Sequence, residues 1–189
     1  QSAMYRIVEA MVRWIAPIMS FTAEEIWQQL PGSREESVLF ETFYEGLDVR
    51  QDAETQTWWS NLLAIRESAS RVLEGMRKAG RIGASLDATL TVHADLPTQS
   101  ALAEAASELR FFFITSDVAL TPLEGRPDTA EKVELDGVEV YVSADVNADP
   151  KCVRCWHHRP DVGGDPAHPE ICGRCVENVV GQGEDRRWF

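Results

Sequence analysis

The chain has 189 residues, with 18 Lys+Arg against 31 Asp+Glu and a formal charge of −13. With 44% apolar residues and six Trp it can bury a real core, which excludes a disordered acidic tail, and its length suits one large domain or two small ones. No apolar run approaches the roughly 18 residues of a membrane span, and the four Cys are confined to 152–175 rather than spread as a secreted disulfide scaffold would have them, so a reducing compartment is expected.

The chain opens on Gln1 with a helical pattern already running by Met4, and we read it as cut from a longer protein. Met4, Val8, Met11, Ile15 and Ile18 make one helical stripe, predicting a helix with one buried face that ends near Ser20. Thr22 with Glu25 reads as a capping box, flanked by a Phe21–Ile26 staple, for a second helix stopped by Pro31-Gly32. Pro17, Phe21 and Trp27 then form a helix-helix corner with Trp27 in the core. In residues 33–50, Val38, Leu39, Phe40, Phe43 and Tyr44 tack a loop onto the helices. From Trp58 a stripe of Leu62, Ile65, Ala69, Val72 and Met76 predicts a third helix of about 25 residues starting near Asp52.

Gly80 and Gly83 break that helix. Leu90 and Val92 alternate as a strand, 98–109 is helical, and 111–114 and 118–120 are short strands. Val133 and Leu135 precede Asp136-Gly137, and Val138, Val140 and Val142 follow it. A type I′ turn there would pair 135 with 138 and 133 with 140. Residues 145–150 are a polar linker. The fold class expected is α+β and multidomain: a mainly helical bundle over 1–79, a small α/β layer over 80–149 and a zinc finger over 150–189.

Cys152-Val-Arg-Cys155 and Cys172-Gly-Arg-Cys175 are two C-x-x-C knuckles 16 residues apart. That spacing suits a tetrahedral zinc site, because each tight turn aims two thiolates at one ion about 2.3 Å away. Redox dithiols are disfavoured by the scarcity of aliphatic residues around the knuckles. Four thiolates leave no open position, so the metal is structural. His157, His158 and His168 are rival ligands, His157 the nearest.

The negative charge is not uniform. Residues 66–81 hold five basic residues (Arg66, Arg71, Arg77, Lys78, Arg81) and two acidic ones, while residues 82–149 hold three and 13. The segment from Pro150 on holds six of each, with Arg154 and Arg174 inside the knuckles. A phosphate backbone could meet the end of the third helix at Arg71, Lys78 and Arg81 and the finger at Arg154 and Arg174; the competing account is a solvated face with snorkelling arginines. Trp156, directly after a knuckle, either stacks on an unpaired base or packs over the metal cluster.

Residues 13–27, Arg-Trp-Ile-Ala-Pro-Ile-Met-Ser-Phe-Thr-Ala-Glu-Glu-Ile-Trp, resemble the anticodon-binding helical domain of the class I aminoacyl-tRNA synthetases for isoleucine, valine and leucine. Residues 78–88, Lys-Ala-Gly-Arg-Ile-Gly-Ala-Ser-Leu-Asp-Ala, resemble the stretch that follows it. Lys-Cys-Val-Arg-Cys-Trp at 151–156 and Ile-Cys-Gly-Arg-Cys-Val at 171–176 resemble the C-terminal finger of the bacterial isoleucine enzymes. The resemblance is weakest between 95 and 150. It implies an enzyme that attaches isoleucine to its tRNA using ATP and Mg in the cytoplasm, whose partner here is the anticodon stem-loop of isoleucine tRNA; the sequence carries no sign of oligomerisation, so a monomer is the default expectation. The family's His-Ile-Gly-His and Lys-Met-Ser-Lys-Ser signatures are absent from the chain, so no catalytic residue is expected in it. Two alternatives remain: a DNA-gripping finger resembling that of the formamidopyrimidine-DNA glycosylases, and a module in which zinc only replaces a core.

Overall fold

The computed structural model describes residues 2–47, 52–135 and 137–188. They form two compact units, residues 1–53 and 54–189. The boundary expected at 79/80 therefore lies inside the second unit.

In the first unit α1 (Ser2–Ile15) turns into α2 (Ser20–Gln29) through a corner where the Ile18 and Met19 amides both donate to the Ile15 carbonyl, at 2.9 and 2.7 Å. Pro17 has no amide to lose there. The corner carries the chain straight into α2, whose Ala23 amide already donates to Met19 at 2.9 Å. Thr22 thus sits inside the first turn, the Thr22–Glu25 capping box does not form, and Phe21, 89% exposed, makes no staple.

α1 also buries a stripe other than the expected one. Glu9, Ala10 and Val12 face inward, and Val12 and Ala16 share a cluster with Ala23, Trp27 and Val38, while Met4, Met11 and Ile18 are exposed. The physical reason is Trp27, the largest buried side chain of the unit, which fits beside small residues such as Ala16 and Ala23. Its indole N–H donates to the Glu35 carbonyl at 2.9 Å. Of the 33–50 loop, Val38 is buried and Leu39, Phe40 and Phe43 stay exposed. Ser37 caps the short turn Val38–Phe40 through the Leu39 amide at 3.2 Å.

The second unit is an α/β body. α3 (Ala53–Lys78) buries Leu62, Ile65, Ala69, Leu73 and Met76 in one cluster with the sheet. It ends in a Schellman motif at Gly80 (φ +68°), where the Arg81 amide donates to Met76 and the Gly80 amide to Arg77, both at 3.0 Å. The strands are β1 (Ala88–Ala94), β2 (Asp117–Thr121), β3 (Glu131–Val133) and β4 (Val140–Val146), in the order β2-β1-β4-β3. β1 and β2 are parallel, joined through α4 (Leu96–Ala103) and α5 (Leu109–Phe113), and the other pairs are antiparallel. α3 joins this core because its apolar stripe meets the inward residues Leu90, Val92, Val140 and Val142 of the central strands.

Val133 pairs with Val140, the register expected of the hairpin, although the ladder stops there and the turn residue Asp136 lies outside the described residues. β4 runs to Val146, so the linker expected from 145 begins inside a strand. The strand expected at 111–114 is instead helical: Arg110-Phe111-Phe112-Phe113 lies in α5, which Ile114 closes in the left-handed region (φ 57°). A short apolar run does not distinguish a strand from a buried helical turn, and here the turn buries Leu109 and Phe113 on one side. Among the described residues no helix is long and apolar enough to cross a membrane.

Candidate metal centre and nucleic-acid interface

The first knuckle is a tight loop in which the Trp156 amide donates to the Cys152 carbonyl and the Cys152 amide to the His157 carbonyl, both at 2.9 Å. Lys151 and His158 close it as an isolated antiparallel bridge. The second knuckle is the start of α6 (Gly173–Val180), with Cys172 as its cap residue and Cys175 in its first turn. Asp161 fixes that start by accepting from the Gly173 amide at 2.9 Å; a Cβ at Gly173 would lie 2.9 Å from the same carboxylate oxygen, so the position suits glycine.

These elements bring the Sγ atoms of Cys152, Cys155, Cys172 and Cys175 within 4.8 Å of one another, with Cys155 and Cys172 at 3.7 Å. Ligands about 2.3 Å from a tetrahedral ion lie about 3.8 Å apart, so the donor set fits one structural zinc. No histidine belongs to the cluster; His157 Nδ1 is 3.2 Å from the Cys155 carbonyl and His158 Nδ1 2.7 Å from the Asp149 carbonyl. Burial pushes the Cys172 thiol up to about 12. Burial acts on Cys152 in the same sense, but the backbone amides around it prevail and bring it down to about 6. A bound cation removes this conflict by stabilising all four thiolates together. The apolar residues packed on the cluster are Val162 and Ile171.

Residues 1–93 match the family model described as the anticodon-binding domain of tRNA ligase, and residues 149–178 match the zinc finger found in FPG and IleRS. The chain is 51% identical to the isoleucine–tRNA ligase of Methylococcus capsulatus, over 98% of this chain and 20% of that protein. It is 49% identical to that of Azotobacter vinelandii and 50% identical to that of Xanthomonas oryzae pv. oryzae, each over 100% of this chain and 20% and 19% of those proteins. The chain matches the C-terminal part of the bacterial isoleucine–tRNA ligases. It spans about a fifth of the length of the curated ligases it matches.

Within this ligase-like frame the basic residues expected to meet RNA fall into two groups. Arg71 is held by Glu131 at 2.5 Å and Glu67 at 2.9 Å, and Arg81 lies 3.5 Å from Asp145. Lys78, 3.8 Å from Glu74, is the most exposed of the three. In the finger, Arg154 points Nη1 at Cys175 Sγ, 3.6 Å away, and Arg174 pairs with Glu184 at 2.8 Å. Each cation on this list therefore touches an anion or a thiol. Trp156 is 62% exposed, takes a left-handed backbone (φ 66°) and is not among the residues packed on the cysteine cluster. Among the described residues only Trp156 and Ile114 are non-glycine with positive φ, a backbone state that costs on the order of 1–3 kcal/mol. Sequence reasoning passed over Ile114 and its neighbour Arg110 because the Phe-rich run was read as strand.

Proposed function

We propose that the chain is the tRNA-reading region of an isoleucine–tRNA ligase, binding the anticodon stem-loop of isoleucine tRNA. The intact protein would attach isoleucine to that tRNA using ATP and Mg, in the cytoplasm and as a monomer, with the chemistry in the part of the ligase this chain does not span. Cys152, Cys155, Cys172 and Cys175 hold the zinc that shapes the finger. The observation that carries the reading is Trp156: an exposed indole set on a rigid knuckle is a platform for an unpaired base, which a metal-covering side chain would not be. The match of residues 1–93 to an anticodon-binding domain favours tRNA over the duplex DNA that a glycosylase-type finger would grip.

Trp156→Ala in the intact ligase should cost ~1–3 kcal/mol of tRNA affinity, the worth of one stacked base, while zinc content stays at one per chain. Trp156→Phe should recover part of that loss because the π-face survives. Full affinity in the alanine variant would remove the indole from the RNA site.

Arg71, Lys78, Arg81, Arg154 and Arg174 are the phosphate contacts this reading would use. Replacing Arg71, Lys78 and Arg81 by Ala should lower the slope of log K against log salt by roughly 0.7–0.9 for each phosphate they meet. Since Arg71 is held by two carboxylates at 2.5 and 2.9 Å while Lys78 and Arg81 each meet one at 3.8 and 3.5 Å, Lys78 and Arg81 should account for most of the fall, and an unchanged slope would make this face solvated surface only.

A further inference from the structure

Among the described residues the Arg110 guanidinium has a ring beside it but no ion-pair partner. It leaves α5 beside Phe111, with Cζ 4.7 Å from the ring centroid, and Arg174 and Arg186 lie over the same ring at 5.0 and 3.9 Å. Its neighbours all have anions. Arg174 and Arg186 share Glu184 at 2.8 and 2.7 Å, and Arg159 lies 3.5 Å from Asp117 and 3.8 Å from Asp161. Among the described residues no carboxylate and no hydrogen-bond acceptor contacts the Arg110 guanidinium.

The environment makes that omission costly. Burial pushes Arg110 below the usual arginine range, the charges of Arg159 and Arg174 push the same way, and Asp117 and Cys172 offset only part of it. A partly desolvated guanidinium next to two others is stable when an anion comes to it. The cysteine cluster is not that anion: Arg154 Nη1 already lies 3.6 Å from Cys175 Sγ, and the charge of Cys155 acts on Arg174. A planar fork with spare donors is suited to bidentate contact with phosphate.

The place is also right for RNA. The His157 ring meets the Phe111 edge 5.8 Å away, and the His158 amide donates to Ser116 Oγ at 2.6 Å, so the α5 turn and the first knuckle form one continuous surface. That surface exposes Trp156 and, 50% exposed on its left-handed backbone, Ile114. We propose that Arg110 binds a backbone phosphate of the RNA strand whose base stacks on Trp156. This rests on the RNA-reading role given to the finger, and it extends the interface to α5, outside both matched family models.

The test measures tRNA affinity of the intact ligase across a KCl series for the wild type, Arg110→Gln, Arg110→Lys and Trp156→Ala, with zinc content and melting temperature alongside. Arg110→Gln should lower the salt slope by about 0.7–0.9, the release of one phosphate's counterion, with zinc and melting unchanged, and Arg110→Lys should restore most of it. A glutamine variant with the wild-type slope overturns the proposal, as does one that loses affinity only together with zinc or melting temperature. If Trp156→Ala weakens binding while Arg110→Gln keeps the slope, the phosphate contact falls and the finger's role stands. If neither variant changes binding, both fall.

Discussion

Stripping the metal with a chelator, or replacing Cys172 by Ala, is expected to unfold the knuckles and α6 while the α3–sheet core stays folded. Structural zinc in small fingers is worth an apparent ~10–16 kcal/mol. Little else holds this segment, since its core is three buried cysteines with Cys155, Val162 and Ile171 packed on them. The loss should stop at two tethers. On one side the His158 amide is bound to Ser116 at 2.6 Å, and Asp87 lies 3.6 Å from Lys151 and 3.4 Å from His158 Nε2. On the other, Glu108 accepts from the amides of Arg187 at 2.8 Å and Trp188 at 2.9 Å, and the Trp188 ring lies 5.5 Å from that of Trp58. Amide exchange after chelation should therefore rise sharply across 152–180 and little in β1 and β4. The check on the premise is metal analysis, where well under one zinc per chain in protein purified without chelator would sink it.

What the sequence revealed and what it hid follow the range of the interactions. The zinc ligands are legible because their geometry is local: two residues between thiols set each turn, and no distant partner is needed. The hairpin register at Val133 and Val140 is local in the same way. The face of α1 is not, because apolar residues line both sides of that helix and periodicity alone cannot choose between Met4-Met11-Ile18 and Val12-Ala16; Trp27 chooses, from another helix. The home of α3 was hidden for the same reason, since its stripe fits any apolar partner and the sheet supplied one. Arg110 was invisible because its meaning depends on Arg159 and Arg174, far along the chain, and on the fact that their carboxylates do not reach it.

The buried carboxylate of Glu9 was also hidden, and Glu9→Gln should destabilise the first unit by about 3–5 kcal/mol, the usual result of removing one partner of a buried ion pair. Glu9 is 4% exposed and accepts from Arg13 and from Arg34, the latter at 2.6 Å; Arg13 also holds Glu41 at 2.9 Å. The two guanidiniums stand over the Trp27 ring, 4.7 and 4.6 Å from its centroid, so the carboxylate positions the cations that cover the core indole. Burial by itself would raise the Glu9 pKa, but hydrogen bonds from Arg34, Arg13 and Tyr5 overrule it and bring the group from 4.5 down to about 2. A carboxyl depressed in the folded state adds stability above its unfolded pKa and loses it as the pH falls through the folded value, so this contribution should be complete above about pH 4.5 and gone below about pH 2. The glutamine variant should accordingly show a flatter acid limb than the wild type. Arg71→Ala, which breaks two exposed ion pairs and one hydrogen bond to the Ser68 hydroxyl, should cost only about 1–2 kcal/mol and serves as the control. Amide protection in the whole chain, read in α1 and α2 for Glu9→Gln and in α3 for Arg71→Ala and followed from neutral pH downward, measures each effect where it arises; a Glu9→Gln loss no larger than that of Arg71→Ala would show that the Glu9 network is not what secures the corner around Trp27.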